Sequence, residues 1–299
     1  MRSQDRPAAK SPAMQLQDAL KDYWVGKMLG SGARSQIYEV KRKRDGQPFV
    51  AKFVTVRTGD DLRVVGHLEN EYRVLAALHA EKTRSGALDL TVRPVEFEKI
   101  KGLLKVRGAY LIMERAVGQS LFEHRDYELG AVLGIFRQVC TALEHMHHVG
   151  FVHADLKPQN ILVDEGLKVK LIDFGFAAPI GMALSSYKGT FGYLAPEQAG
   201  GRLTEQTDVF NLGAALYWVL TGQNLPSILP GEHEARGYVP DQQVSITPPS
   251  NVNPAVPQEL SDMVLRCCLP NEHERPTVRQ LKQYLHGLQL RLDYGAVPG

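Results

Sequence analysis

Cysteine is scarce in this chain: Cys140, Cys267 and Cys268 are the only three among 299 residues. Two of them are adjacent, and neighbouring cysteines do not easily bridge each other, so a disulfide framework and a zinc-finger spacing are both excluded. A reducing, cytoplasmic setting is expected instead. No run of eighteen apolar residues occurs, and Met1 to Leu20 lacks the apolar stretch of a secretory signal, so no membrane segment is expected in the chain. An excess of one charge is also missing. Thirty-five Lys and Arg against 33 Asp and Glu leave a formal charge of +2, too small to imply nucleic acid or an anionic membrane as a partner. The basic run Lys41-Arg42-Lys43-Arg44 precedes Asp45-Gly46 and reads as a solvated hairpin. Repeats and low-complexity tracts are absent. What is present, 43% hydrophobic and 23% charged residues, is ordinary globular composition over a length that suits two domains or one bilobal one.

Along the chain, residues 1–20 show no sustained period and read as a flexible leader ending in a short helix near 14–21. Residues 23–29, 36–41 and 48–54 read as a meander, with a glycine turn at Gly30-Ser31-Gly32 and a second turn at Asp45-Gly46. A helical period follows through Leu68, Tyr72, Leu75 and Leu78, then strands near 92–97 and 109–114 that complete an antiparallel sheet. Beyond Gly118 the pattern is mainly helical. Residues 129–148 are amphipathic, with Cys140 on the apolar face, and 209–220 are apolar nearly all round, as in a buried central helix ending at Gly222. Residues 223–257 are proline-rich and irregular with one short helix, and helices resume at 258–269 and 277–288.

The most informative stretch is residues 151–175. Ile161 to Val163 and Val169 to Ile172 read as strands joined by the turn residues Asp164-Glu165-Gly166, so they should pair antiparallel. That hairpin brings Asn160, just before the first strand, near Asp173, just after the second. Two oxygen ligands across neighbouring strands suit Mg²⁺, which takes few protein ligands and completes its octahedron with phosphate and water.

His153-Ala154-Asp155-Leu156-Lys157-Pro158-Gln159-Asn160 and Asp173-Phe174-Gly175 resemble the catalytic and metal-binding loops of protein kinases, with alanine where the usual His-Arg-Asp has arginine. The resemblance implies that Asp155 accepts the proton of the attacking hydroxyl, that Lys157 steadies the transferred phosphoryl group, and that Asn160 and Asp173 hold Mg²⁺, with Mn²⁺ as an alternative ion. Lysine two places after the aspartate is similar to the serine/threonine branch. Leu29-Gly30-Ser31-Gly32 through Ile37 resembles the glycine-rich loop over ATP, with Ser35 in place of the third glycine. Val50-Ala51-Lys52-Phe53 resembles the strand whose alanine packs on adenine and whose lysine meets the phosphates. By the same resemblance Glu71 partners Lys52; Glu69 competes, but Leu75, one turn after Glu71, belongs on the buried stripe and favours Glu71. Glu114 and Ala116 would bond adenine through their backbones. Leu162 would floor the adenine pocket and Met113 would border it, although Met113 reads equally as ordinary core.

Further on, Gly189-Thr190 through Ala195-Pro196-Glu197 resembles the end of a kinase activation segment. Thr190 would bond Asp155 and Lys157, and Glu197 would pair with Arg275 of Arg275-Pro276-Thr277 to fix the peptide platform. Asp208 could cap its helix and also hold the catalytic-loop backbone. These platform motifs separate the chain from small-molecule phosphotransferases that share the His-x-Asp loop. The histidines His145, His147, His148 and His153 lack a completing ligand set, so no metal site is read there. The implied fold is α+β and bilobal: a five-stranded antiparallel N-lobe sheet plus one helix over 21–117, a mainly helical C-lobe over 118–288, and a tail at 289–299. The implied activity is transfer of the γ-phosphoryl of ATP to Ser/Thr hydroxyls of protein substrates, with no nucleic-acid partner. A pseudokinase-type ATP-binding scaffold is the alternative. Ser185, Ser186, Tyr187 and Thr190 are candidate autophosphorylation sites. With Ala154 in place of arginine, an arginine grip on a segment phosphate is lost, and activity is expected not to depend on it.

Overall fold

The computed structural model describes residues 11–32, 34–86, 88–103, 105–185, 188–199, 201–226 and 245–295. These form two compact units. The first holds the chain up to Arg73 together with Arg93–Arg115; the second holds Val74–Val92 and everything from Ala116 onward. The expected single cut after residue 117 is therefore not what is seen. The stretch before Arg93 is tied within the second unit, where Leu171 N–H donates to Leu90 O at 2.8 Å and the His145 ring meets Leu78 O at 3.1 Å.

The first unit is built on an antiparallel sheet of order β1-β2-β3-β5-β4, formed by Tyr23–Ser31, Gln36–Arg42, Pro48–Thr55, Pro94–Lys101 (β4) and Val106–Glu114 (β5). Alternation in β3 sends Phe49, Ala51 and Phe53 into a core with Tyr38, Val40, Tyr110 and Ile112, and leaves Lys52 on the opposite side of the strand. That core is completed by α1, Pro12–Ala19, whose Leu16 joins Leu20 and Tyr23 in the cluster. The short helix expected near 14–21 is thus present, beginning two residues earlier, and the part of the leader from Ser11 on is folded rather than flexible. Ser11 caps the helix by accepting from Met14 N–H, and Gln17 fastens it, donating to Tyr23 O at 3.0 Å and accepting from Val25 N–H at 2.8 Å. Residues 1–10 lie outside the described residues. The long helix α2, Gly59–Ser85, begins at the N-cap Thr58, whose backbone N–H donates to the Asp61 carboxylate at 2.7 Å.

In the second unit a short sheet orders β6 (Gln119–Ser120), β8 (Ile161–Val163) and β9 (Val169–Leu171), and β7 (Phe151–Val152) pairs with β10 (Ala178–Pro179). Helix α3, Leu129–His148, buries Leu133, Phe136, Cys140 and Leu143 on one stripe. Helix α4, Glu205–Thr221, is buried over most of its circumference and ends at Gly222, whose φ of 73° suits glycine. Two short elements, α5 (Pro249–Val252) and α6 (Gln258–Cys267), follow; the irregular segment expected from 223 lies outside the described residues at 227–244. Helix α4 meets α6 closely, since a Cβ on Gly213 would come within 2.6 Å of Cys267 Cβ. The final helix α7, Val278–Gly295, runs past the expected end at 288. Leu285 and Leu288 are buried, and Gln289 is gripped by Arg137 at 2.6 Å, so the first part of the expected tail is helix. All three thiols are buried and free, and burial pushes each one up. Among the described residues no helix is long and apolar enough to cross a membrane.

Because Leu16 of α1 and Leu20 just after it are both buried in the sheet core, Leu16→Ala should destabilise the protein by about 2–4 kcal/mol, read as a lowered midpoint in urea unfolding.

Candidate active site

The chemistry-bearing side chains fall into two groups, one in each unit. In the second unit, β7 leads from α3 into the loop at His153, and a 3-10 turn, Pro158–Asn160, leads into β8. The β8–β9 hairpin pairs Ile161 with Leu171 and Val163 with Val169, and its turn is stabilised by Asp164 Oδ1, which accepts from Gly166 and Lys168 N–H at 2.9 Å each. That register sets Asn160 opposite Ile172, whose N–H donates to Asn160 O at 3.0 Å, and Asp173 follows one residue later. The two expected metal ligands are therefore offset by one position rather than directly opposed. Asp173 has a φ of 64°, a region that aspartate tolerates better than most residues. Asn160 Nδ2 donates to Asp155 O at 2.9 Å; with its donor end so used, the amide presents its oxygen as the ligand end. This donor set, a carboxylate and an amide oxygen, fits a hard cation such as Mg²⁺.

Asp155 is buried and held from two sides. Its Oδ2 accepts from Lys157 Nζ at 2.9 Å and its Oδ1 from the Thr190 hydroxyl at 2.6 Å, while that hydroxyl accepts from Lys157 Nζ at 2.7 Å. The backbone just before it is shaped by Asp208, a fully buried carboxylate. Asp208 Oδ1 accepts from Ala154 N–H at 2.9 Å, and Oδ2 from His153 N–H at 2.9 Å and from the His147 ring at 2.8 Å. Ala154 has a φ of 60°, which costs a non-glycine residue roughly 1–3 kcal/mol. Asp208 does not cap α4. Thr204 is the N-cap and forms a reciprocal box with Thr207, so both oxygens of Asp208, one turn in, are left for the loop.

Glu197 and Arg275 form a bidentate pair at 2.7 and 3.0 Å. The remaining guanidinium N–H groups donate to Leu269 O, Gln206 O and Pro270 O, so all five donors of a side chain without exposure are used. The guanidinium also lies 5.0 Å from the Phe210 ring centre. Leu162 is half-buried between the buried Ile161 and Val163, as strand alternation requires, and Ala116 is half-buried. Ser185 is exposed; Ser186 and Tyr187 lie outside the described residues.

In the first unit, Lys52 Nζ meets Glu71 Oε2 at 2.8 Å, with the Glu71 side chain 1% exposed. Glu69 instead pairs with Lys99 at the surface, at 2.7 Å. Ala51 and Met113 are buried, and Glu114 N–H donates to Arg93 O at 2.8 Å. The glycine turn expected at 30–32 begins later: Gly30 and Ser31 still pair with Ile37 and Gln36, and the turn closes through Gly32 N–H donating to Ser35 O at 2.8 Å. Leu29 is exposed on this hairpin. A Cβ on Gly30 would meet nothing within 4 Å, and its φ lies outside the left-handed region, so the fold itself does not require glycine there.

The model of the protein kinase domain matches residues 23–286. The chain belongs to the protein kinase family. It is 27% identical to a probable serine/threonine-protein kinase of Clostridium perfringens over 82% of this chain and 35% of that protein. It is 28% identical to the serine/threonine-protein kinase PknB of Mycolicibacterium smegmatis over 85% and 40%, and 31% identical to PrkC of Bacillus subtilis over 56% and 26%. The chain thus matches less than half the length of each of these relatives. In this kinase domain, sequence reasoning passed over Gln198, Asn211 and Arg34. The donor end of Gln198 carries no local signal, because its partners Ala154 and Lys188 stand 44 and 10 positions away. Arg34 had one: it pairs with Asp60 and Asp61 at 3.2 and 2.9 Å, an acidic first turn that follows Thr58.

Removing one partner of the buried Glu197–Arg275 pair strands a charge, so Glu197→Ala should cost about 3–5 kcal/mol, measured by chemical denaturation.

Proposed function

We propose that this kinase domain transfers the γ-phosphoryl group of ATP to serine or threonine hydroxyls of proteins, in the cytoplasm, and that it also phosphorylates itself. The observation that carries the reading is the Asp155–Lys157–Thr190 triangle, in which a threonine hydroxyl donates to Asp155 at 2.6 Å and accepts from Lys157 at 2.7 Å. That is the hydrogen-bonding arrangement an acceptor hydroxyl needs: a carboxylate to take its proton and a cation beside its oxygen. Serine and threonine suit it by chemistry, and the three relatives named above carry the names of serine/threonine-protein kinases, that of Clostridium perfringens as a probable one. Three buried, unpaired thiols suit a reducing compartment.

In this reading Lys52, oriented by Glu71, binds phosphate oxygens, and the hairpin around Gly30 brings backbone N–H groups to them. Asn160 and Asp173 hold Mg²⁺, or Mn²⁺ in its place, which when bound neutralises charge developing on the phosphates. Asp155 orients the attacking hydroxyl and accepts its proton, and Lys157 stabilises charge on the moving phosphoryl group. Glu114, Ala116, Ala51, Met113 and Leu162 receive the adenine.

The position of Ala154 bears on activation. Its methyl group lies in an apolar cluster with Val152, Ala178 and Leu203, against which Leu184 packs, so nothing there offers a phosphate a charged partner from residue 154. The segment is instead tied by backbone bonds, Leu184 N–H to Gly201 O at 2.9 Å and Leu203 N–H to Met182 O at 2.9 Å.

With labelled ATP and a generic protein substrate, Asp155→Asn should retain nucleotide binding and lose at least about a hundredfold in phosphate transfer; undiminished transfer would refute the assignment. A wild-type protein that binds ATP yet transfers nothing would be the scaffold instead. Phosphatase treatment of the wild type should change its rate by no more than about twofold, since no arginine at 154 awaits a phosphate; a large loss would count against this account of Ala154.

A further inference from the structure

Gln198, the residue after Glu197, is fully buried, and its amide uses its whole hydrogen-bonding capacity. Nε2 donates to Ala154 O at 2.8 Å and to Lys188 O at 2.6 Å; Oε1 accepts from Ala195 N–H at 3.0 Å and from Asn211 Nδ2 at 2.8 Å. Asn211 Nδ2 donates in addition to Tyr193 O at 2.6 Å. The reversed amide would set donor against donor and oxygen against carbonyl, so the network fixes its orientation. Three consecutive residues of the segment, Lys188, Gly189 and Thr190, thereby run beside Ala154 and Asp155. Lys188 is joined to Ala154 through the Gln198 amide, and Thr190 bonds Asp155 directly. Gly189 between them has a φ of 133°, and a Cβ there would come within 2.9 Å of Gln198 Nε2 and 3.1 Å of Ala154 O. The chain passes this close only as glycine.

We propose that Gln198 is a positioning residue for phosphoryl transfer: its donor end clamps the segment backbone at Lys188 to the catalytic-loop backbone at Ala154, which sets Thr190 on Asp155 and Lys157. The proposal rests on the kinase reading given above. It assigns the clamp to a neutral amide acting between two carbonyls, independent of any phosphate. Asn211, on the buried helix α4, holds the amide from behind.

Gln198→Glu isolates the donor end, because it is nearly isosteric and retains an oxygen for Ala195 and Asn211. It turns a carboxylate oxygen toward two carbonyls. At about pH 8 this variant should lose at least about tenfold in kcat/KM for a protein substrate while its Kd for a non-hydrolysable ATP analogue stays within about twofold of wild type. The deficit relative to wild type should shrink toward about pH 6, because a carboxyl facing carbonyls protonates readily and regains one O–H donor. Gln198→Leu should show the loss without the pH dependence. Gly189→Ala, which pushes on the same amide, should repeat the substrate-side loss and carries the test if the Gln198 variants do not fold. Substrate kcat/KM within about twofold of wild type in the folded variants, or an equal fall in nucleotide affinity, would overturn the clamp. If the wild type phosphorylates no protein, the kinase reading fails, and amide hydrogen exchange across residues 188–194 decides the clamp by itself. Faster exchange in Gln198→Glu supports it, and unchanged exchange removes it.

Discussion

The Asp208 carboxylate is the point on which the catalytic loop depends. Without exposure to water, it takes three donors: the backbone N–H groups of His153 and Ala154 and the ring of His147. Two consecutive peptide N–H groups aimed at one carboxylate force the turn in which Ala154 adopts a positive φ, a conformation that has no local reason to form. From that turn follow the direction of the Ala154 carbonyl and the place of Asp155. The carboxylate is itself immobile because α4 is enclosed by side chains, closed at its start by the Thr204–Thr207 box and pressed against α6 at Gly213. Rigidity in the most apolar helix of the second unit is thus passed to a polar loop through one side chain.

The buried charges follow a common rule. Arg275, Glu197, Lys52 and Glu71 are each paired, and Arg275 satisfies every donor it has. A pair of this kind adds little to stability compared with apolar residues of the same volume, but removing one member leaves an uncompensated charge out of water. Its value is therefore directional: it fixes where Glu197 and Lys52 stand. The surface pair Lys99–Glu69, with both side chains more than a third exposed, has no such role and contributes at most about 1 kcal/mol. The contrast explains why Glu71 and Glu69, two residues apart on α2, have different tasks.

Strands and long helices were legible because their periods are strong: the alternation in β3 and the apolar stripe of α3 need no tertiary information. The residues of the Asp155 triangle and the Lys52–Glu71 pair were legible through family motifs. Helix α1 was legible as a short helix near 14–21, but its docking was not, because burial of Leu16 in the sheet core and the reach of Gln17 to Tyr23 and Val25 are tertiary. The continuation of α7 to Gly295 likewise depends on Arg137, 152 positions from Gln289. Asp208 reads in sequence both as a helix cap and as a holder of the catalytic-loop backbone; the box formed by Thr204 and Thr207 removes the first role, and the bonds from His153 and Ala154 N–H show the second. Gln198 escaped altogether, as glutamine has no preferred motif and both of its donors go to backbone carbonyls.

Ala154 ties these strands of reasoning together. The family arginine acts through its side chain, in a charge-assisted contact present only when the segment carries phosphate. Gln198 addresses the backbone carbonyl of residue 154, which any residue in that conformation would present, and does so with a neutral hydrogen bond that needs no phosphate. Salt screens charged contacts far more than a buried amide bridge, so the two anchors differ in what can loosen them. With alanine at 154 the side chain offers no charged contact, while the backbone of the Asp208-imposed turn still presents its carbonyl to Gln198. The methyl group that remains joins Val152, Ala178 and Leu203, so the site is completed by apolar contact where a charge would otherwise have to be solvated.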